Sequence, residues 1–139
     1  MSSRAAHDHL ATIFKSVPIA RSMGLTLSYD EDGNAVIFMP RNPGFDHGMK
    51  DTHGGVLAAM LDSAGWFTVA AQCAKMILTS DLHVRMLQGA KQQDLTATAR
   101  IVRAGAKLVV AEMQLTSADG ELVATGSASF SVLGDLPTG

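Results

Sequence analysis

The clearest signal in the chain is a two-residue alternation running through its second half. Leu122, Ala124, Gly126, Ala128, Phe130 and Val132 fall on one side of an extended chain, and Thr125, Ser127, Ser129 and Ser131 on the other. Successive side chains of a strand point to opposite faces, so this spacing predicts a strand with one buried face. Leu95, Ala97, Ala99 and Ile101 alternate in the same way with Thr96, Thr98, Arg100 and Val102. Val109, Ala111, Met113 and Leu115 alternate with Val110, Glu112 and Gln114. Ala104-Gly105-Ala106 and Ala118-Asp119-Gly120 stand between these runs as turns, the second of the Asp-Gly hairpin type. Residues 77–87 read as one more strand, which gives four strands in a meander. Nearer the start, strands over 25–29 and 35–39 flank the turn Asp30-Glu31-Asp32-Gly33-Asn34 and form a hairpin that Pro40 stops.

Two segments follow the helical period instead. Over about 5–16, Leu10, Ile13 and Phe14 share one face, and Pro18 lies just past the end. From Gly54 to about residue 74 the chain is apolar nearly all round, interrupted by Asp62, Ser63 and Thr68. A helix apolar on every side is a buried helix, so the strands must wrap it. The resulting expectation is the α+β class, one antiparallel six-stranded sheet curled around a long central helix. With 139 residues and no internal repeat or linker, the chain reads as a single domain over 1–139.

Composition narrows the functional classes. The formal net charge is -2 without a long basic run, which argues against nucleic acid as a partner. Cys73 is the only cysteine; it lies in the apolar helix as an inert thiol and fits a reducing, cytoplasmic compartment. The first ten residues lack the apolar core of a signal peptide. The apolar stretch 56–71 is short for a bilayer span and carries Asp62, so no membrane association is expected. Charged residues are sparse, at 17%, which favours burial of surface against a second copy. His7 and His9 lie near the terminus and His83 in a strand. No zinc-type cluster, P-loop, dinucleotide fingerprint or Gly-x-Ser-x-Gly elbow is present, and neither metal nor cofactor is expected.

The chemistry concentrates around the buried helix. Thr52-His53-Gly54-Gly55 directly precedes it or opens it. Glycine admits close approach to the backbone, and the first N–H groups of a helix are unpaired and sit at its positive end. Such a helix start can receive an oxyanion. Asp62 is the second anomaly: a carboxylate inside an apolar helix is costly unless paired or functional. Its helix neighbours Ala58, Ala59 and Gly65 are small and leave room beside it. Gly54 and Asp62 lie eight positions apart, about 12 Å along the axis. One carbonyl cannot meet both groups of one helix at hydrogen-bond distance. If both serve one reaction they come from two chains, which predicts a dimer with two composite sites. The alternative is a glycine turn and a structurally hydrogen-bonded Asp.

The run from His53 to Ala64, HGGVLAAMLDSA, resembles the signature of the hotdog-fold thioesterases, in the PaaI-like (phenylacetic acid degradation type) branch. The resemblance extends to Thr79-Ser80-Asp81-Leu82-His83-Val84, to 99–107 and to 119–124, and covers most of 24–132. It implies the hotdog fold and hydrolysis of a small aryl- or acyl-CoA thioester to the free acid and CoA. It also implies a homodimer or a homotetramer built of two dimers. By that resemblance the Gly54 N–H polarises the thioester carbonyl, with Gly55 beside it. Asp62 of the partner subunit acts as general base or as nucleophile, Thr79 helps position the water, and His53 holds the motif near the thioester.

Relatives usually carry Asn six positions before the motif histidine and Gly three before it; here those places hold His47 and Lys50. Either His47 takes over the role of that amide, as a group that can donate and titrate, or Asn42 fills it through a longer loop. Arg100, Arg103 and Lys107 surround the turn at Gly105 and read either as contacts to CoA phosphates or as a solvated hairpin tip. Trp66, one turn beyond Asp62, reads as a wall of the acyl pocket or as core. Two other functions fit the same fold: an enoyl-CoA hydratase or dehydratase using His53 and Asp62, and a non-catalytic acyl-CoA-binding protein.

Overall fold

The computed structural model describes residues 2–137; Met1 and residues 138–139, which the expected domain span included, lie outside the described residues. The elements in chain order are α1 (Ser3–Phe14), α2 (Pro18–Met23), β1 (Thr26–Tyr29), β2 (Ala35–Met39), α3 (Gly54–Cys73), β3 (Lys75–Met86), β4 (Leu95–Ala104), β5 (Leu108–Ser117) and β6 (Leu122–Asp135), with a short 3-10 turn at Pro43–Phe45. All strand pairings are antiparallel, and the six strands form one sheet in the order β1-β2-β4-β5-β6-β3. The class is α+β, with the sheet wrapped around α3.

The sheet departs from a four-stranded meander at one point. β4, β5 and β6 follow one another, but β3 leaves the sequence order and pairs with β6 on the far side. The cause is α3 itself. It crosses the inner face of the sheet and delivers the chain to that distant edge, where Ala74 reverses it in a left-handed conformation (φ 52) directly into β3. β3 is therefore an edge strand, with one side bonded to β6 and the other unpaired among the described residues.

The core sits between α3 and the inner sheet face. Met60, Leu61, Ala64, Val69 and Ala70 are fully buried from the helix, and Ile37, Leu95, Ala97, Ala111, Leu115 and Phe130 from the strands. Each large aliphatic side chain removed from water contributes roughly 1.5–3 kcal/mol. Gly65 allows the closest approach: a Cβ there would stand 3.0 Å from the Phe130 ring and 3.2 Å from the Met113 sulfur. α3 is long and apolar enough to cross a bilayer by length and composition, longer than the apolar stretch suggested, and its apolar sides are covered by the sheet and α1.

α1 is capped by the Ser2 side chain, which accepts from the Ala5 N–H at 3.2 Å. It docks on α3 through Ala6, Leu10 and Phe14, with the Phe14 ring edge-on to Phe67 at 4.9 Å. Ile13, expected on that face, is 38% exposed, because the buried stripe follows strict four-residue steps from Ala6. Pro18 opens α2 rather than merely ending α1: proline suits the first helical position, where its missing N–H costs nothing. Gly24, at φ 66, ends α2.

Candidate active site

One face of α3 runs along the inner face of β3 in the opposite direction, and three contacts mark the alignment. The Trp66 indole N–H donates to the Ile77 carbonyl at 3.2 Å. One helical turn toward the N-terminus, the Thr79 hydroxyl donates to Asp62 Oδ1 at 2.9 Å. At the helix start, a Cβ on Gly54 would lie 3.3 Å from the Met86 methyl. Moving from Trp66 to Asp62 to Gly54 thus moves from Ile77 to Thr79 to Met86. Asp62 and Gly54 stand near opposite ends of β3.

Asp62 is half-buried. Burial raises its pKa above the ordinary carboxylate value, and the Thr79 hydrogen bond partly counters that rise. A carboxylate held this way is a better base than an exposed one, and its second oxygen is not engaged by any side chain among the described residues. Asp62 and Thr79, both singled out by sequence, are brought into direct contact. Trp66, packed against Phe67, ties the helix to β3 next to them.

The start of α3 is built by His53. Its Nδ1 accepts the Gly55 N–H at 2.8 Å, so the ring is the N-cap and a neutral imidazole there carries its proton on Nε2. A Cβ on Gly55 would meet that ring at 3.0 Å, which explains the second glycine. Gly55 spends its N–H on the cap, while the Gly54 N–H has no acceptor among the described residues. It remains available, at the positive end of a twenty-residue helix.

The loop before His53 is held by three carboxylates. Arg41 makes a two-pronged ion pair with Asp46, at 2.6 and 2.7 Å, and its backbone N–H donates to Asp94 at 2.7 Å. Asp51 accepts N–H groups from Thr52, Lys91 and Gln92 at 2.9, 2.9 and 3.0 Å. Burial opposes its charge, but these bonds and the Arg41 cation outweigh that and hold Asp51 below the usual carboxylate range. The contacts of Asp51 with Lys91 and Gln92, and of Met86 with Gly54, were invisible to sequence reasoning: the partners lie more than thirty residues apart, and no periodicity links them.

His47 and Asn42 both serve their own loop. His47 Nδ1 accepts the Met49 N–H at 3.1 Å, and the Asn42 side chain accepts the Gly44 N–H at 2.9 Å. Lys50 adopts φ 63, the conformation that the expected glycine takes without strain. Arg100 pairs with Glu112 at 2.5 Å. Glu112 stands between the buried Ala111 and Met113, so this pair lies on the sheet face turned away from α3. That face carries a cleft of about 520 Å³ lined by His83, Arg85, Arg100 and Gln114; it is remote from Asp62. Arg103 and Lys107 are exposed near the β4–β5 turn and have no ion-pair partner among the described residues. Thr79 pairs with Phe130, Phe130 with Val109 and Val109 with Ala104, so this turn and the Asp62–Thr79 pair lie at the same end of the sheet. The described residues hold no group of three or more His, Cys, Asp and Glu placed to bind a metal ion.

Comparison with known proteins agrees with this architecture. A putative esterase of Halobacterium salinarum is 32% identical over 126 residues, covering 81% of this chain and 83% of that protein. The medium/long-chain acyl-CoA thioesterase YigI of Salmonella typhimurium is 29% identical over 133 residues, covering 84% and 86%. The structure of the Escherichia coli PaaI protein, from the phenylacetic acid degradation operon, superimposes with a TM-score of 0.88 at 20% identity, covering 98% of this chain and 99% of that one. Residues 49–124 match the description of the thioesterase superfamily, and the chain, with its six-stranded sheet around α3, belongs to that hotdog-fold superfamily.

Proposed function

We propose that this protein hydrolyses an acyl-CoA thioester to the free acid and CoA, in sites shared between two copies of the chain. The carrying observation is the layout along β3: Asp62 bonded to Thr79 toward one end, Gly54 beneath Met86 at the other. An antiparallel pairing of β3 with its copy, centred near Leu82 and His83, sets the Thr79 end of one strand beside the Met86 end of the other. Asp62 of one subunit then faces the Gly54 N–H of its partner. Two features of β3 favour this pairing. Its free edge is long, and its inner-face Leu82 and Met86 are 38% and 46% exposed, a burden that a partner relieves. Asp81 and Arg85 lack ion-pair partners among the described residues, and a register centred on His83 sets them opposite each other across the two-fold.

In that site the thioester carbonyl oxygen accepts from the Gly54 N–H, at the positive helix end where negative charge develops. As general base, Asp62 takes a proton from the water that attacks the carbonyl carbon, and the C–S bond breaks to give the acid and the CoA thiolate, which the proton neutralises. As nucleophile, it attacks that carbon itself, expels the CoA thiolate and forms a mixed anhydride that water then hydrolyses to the acid, restoring Asp62. Thr79 orients the carboxylate. His53 holds the helix start through Gly55 and sits at the mouth. Trp66 backs the acyl side. Arg103 and Lys107 are the cations available to CoA phosphates; Arg100 is engaged by Glu112. His47 shapes the turn that leads into the motif. The protein acts in the cytoplasm as a homodimer or a homotetramer of two dimers, and 1–139 forms one domain.

Free-thiol release from a panel of acyl-CoAs, phenylacetyl-CoA among them, tests the proposal. Turnover by the protein that disappears in Asp62→Ala supports it. Release that survives the substitution removes Asp62 from the chemistry, and no release from any ester ends the hydrolase reading.

A further inference from the structure

Among the described residues, four non-glycine residues adopt positive φ: Lys50, Ala74, Lys91 and Gln92. Three of them surround one carboxylate. Lys91 (φ 57) and Gln92 (φ 59) turn their successive N–H groups onto the two oxygens of Asp51, and Lys50 (φ 63) directly precedes it. The Gln92 side-chain amide adds a bond to the Lys50 carbonyl at 2.8 Å. The packing is tight from below: a Cβ on Gly89 would lie 2.8 Å from Asp51 Oδ2. Left-handed backbone on ordinary residues is costly and persists only where surrounding contacts hold it. Here it is concentrated where the β3–β4 connection meets the loop that opens α3.

The position of Asp51 gives this concentration a purpose. Thr52 follows and is 5% exposed; the His53 N–H donates to the Phe45 carbonyl at 2.9 Å; Gly54 comes next. The segment between the carboxylate and the Gly54 N–H has no slack. The same β3–β4 connection begins where Met86, the residue covering Gly54, ends β3. We infer that Asp51 is a positioning residue that fixes the direction of the Gly54 N–H by clamping the preceding loop to the Lys91-Gln92 backbone. It never touches substrate; it acts through Gly54. The inference rests on the reading of Gly54 as the donor to the thioester carbonyl.

Two substitutions test it from opposite sides. Asp51→Asn keeps the size but replaces one acceptor oxygen with a donor that faces another N–H. Gly89→Ala keeps the charge but pushes the carboxylate aside, and it carries the test alone if Asp51→Asn does not fold. A misaimed donor costs rate and leaves binding, so each variant should lose kcat by about 10- to 100-fold with KM changed less than about threefold. The double variant should be no slower than Asp51→Asn, because both break one clamp. Amide hydrogen exchange should accelerate at Lys91 and Gln92, which lose their acceptor, and at His53, whose N–H donates to the Phe45 carbonyl. Unchanged kcat in folded variants of an active protein overturns the positioning role and leaves the hydrolase reading intact. So does a loss of apparent kcat that disappears once the rate is divided by the folded fraction, measured separately by circular dichroism. A wild-type protein without activity on any thioester overturns both.

Discussion

Asp62 carries opposing demands. Its burial disfavours the charged form that a base needs, and Thr79 restores part of that form. Removing the hydrogen bond in Thr79→Ala should raise the pKa further, so the acid limb of the kcat/KM profile should move to higher pH; an unmoved limb would disconnect Thr79 from the reacting carboxylate. Asp62→Asn should lower turnover by at least about 100-fold and yet stabilise the fold near neutrality. The sign follows from linkage: a carboxyl whose pKa is raised on folding adds stability below its unfolded value, and that contribution is lost as pH rises through the folded one. The variant's gain in melting temperature should therefore be larger at pH 7 than at pH 4. Lys50→Gly relieves a left-handed side chain (φ 63) and should stabilise by about 0.5–1 kcal/mol, seen as a higher urea midpoint. At this scale Asp62 and the His-Gly-Gly start were legible, because a carboxylate in an apolar helix and glycines at a helix start break local rules. The Asp51 clamp broke none that a linear reading can see.

The alternating strands and the central helix were legible, and the third strand was the least so. A segment apolar on every face has to be enclosed, so α3 followed from its hydropathy and the wrapping sheet from the two-residue alternation of the strands. The place of β3 did not, since a strand pattern says which face is buried and not which neighbour it pairs with. α2 escaped notice because its opening Pro18 was read as a terminator for α1, and six residues are too few to display a helical period. Helix and sheet meet most closely at Gly65, against Phe130 and Met113. Gly65→Val should cost about 1–3 kcal/mol through overpacking, measured by chemical denaturation. An equally stable variant would mean that α3 lies farther from the sheet than described.

At the scale of the whole molecule the separation of Asp62 from Gly54 becomes the central fact. Eight helical positions divide them within one chain, and the proposed pairing of two β3 edges would reunite them between two. In the proposed dimer a chain with few charges covers its exposed apolar edge strand, and the site gains its second half. The most direct test combines two variants that each lack one half. Gly54→Pro deletes the N–H at the first helical position, where proline is tolerated, and His53 already has the extended backbone (ψ 138) that must precede proline. Asp62→Ala deletes the carboxylate. Each variant alone should be inactive. After subunit exchange, half of the dimers are mixed, and each mixed dimer holds one intact site, so about a quarter of wild-type thiol release should return. Recovery near that level would establish a site built from two chains; mixed dimers that form but stay inactive would contradict it.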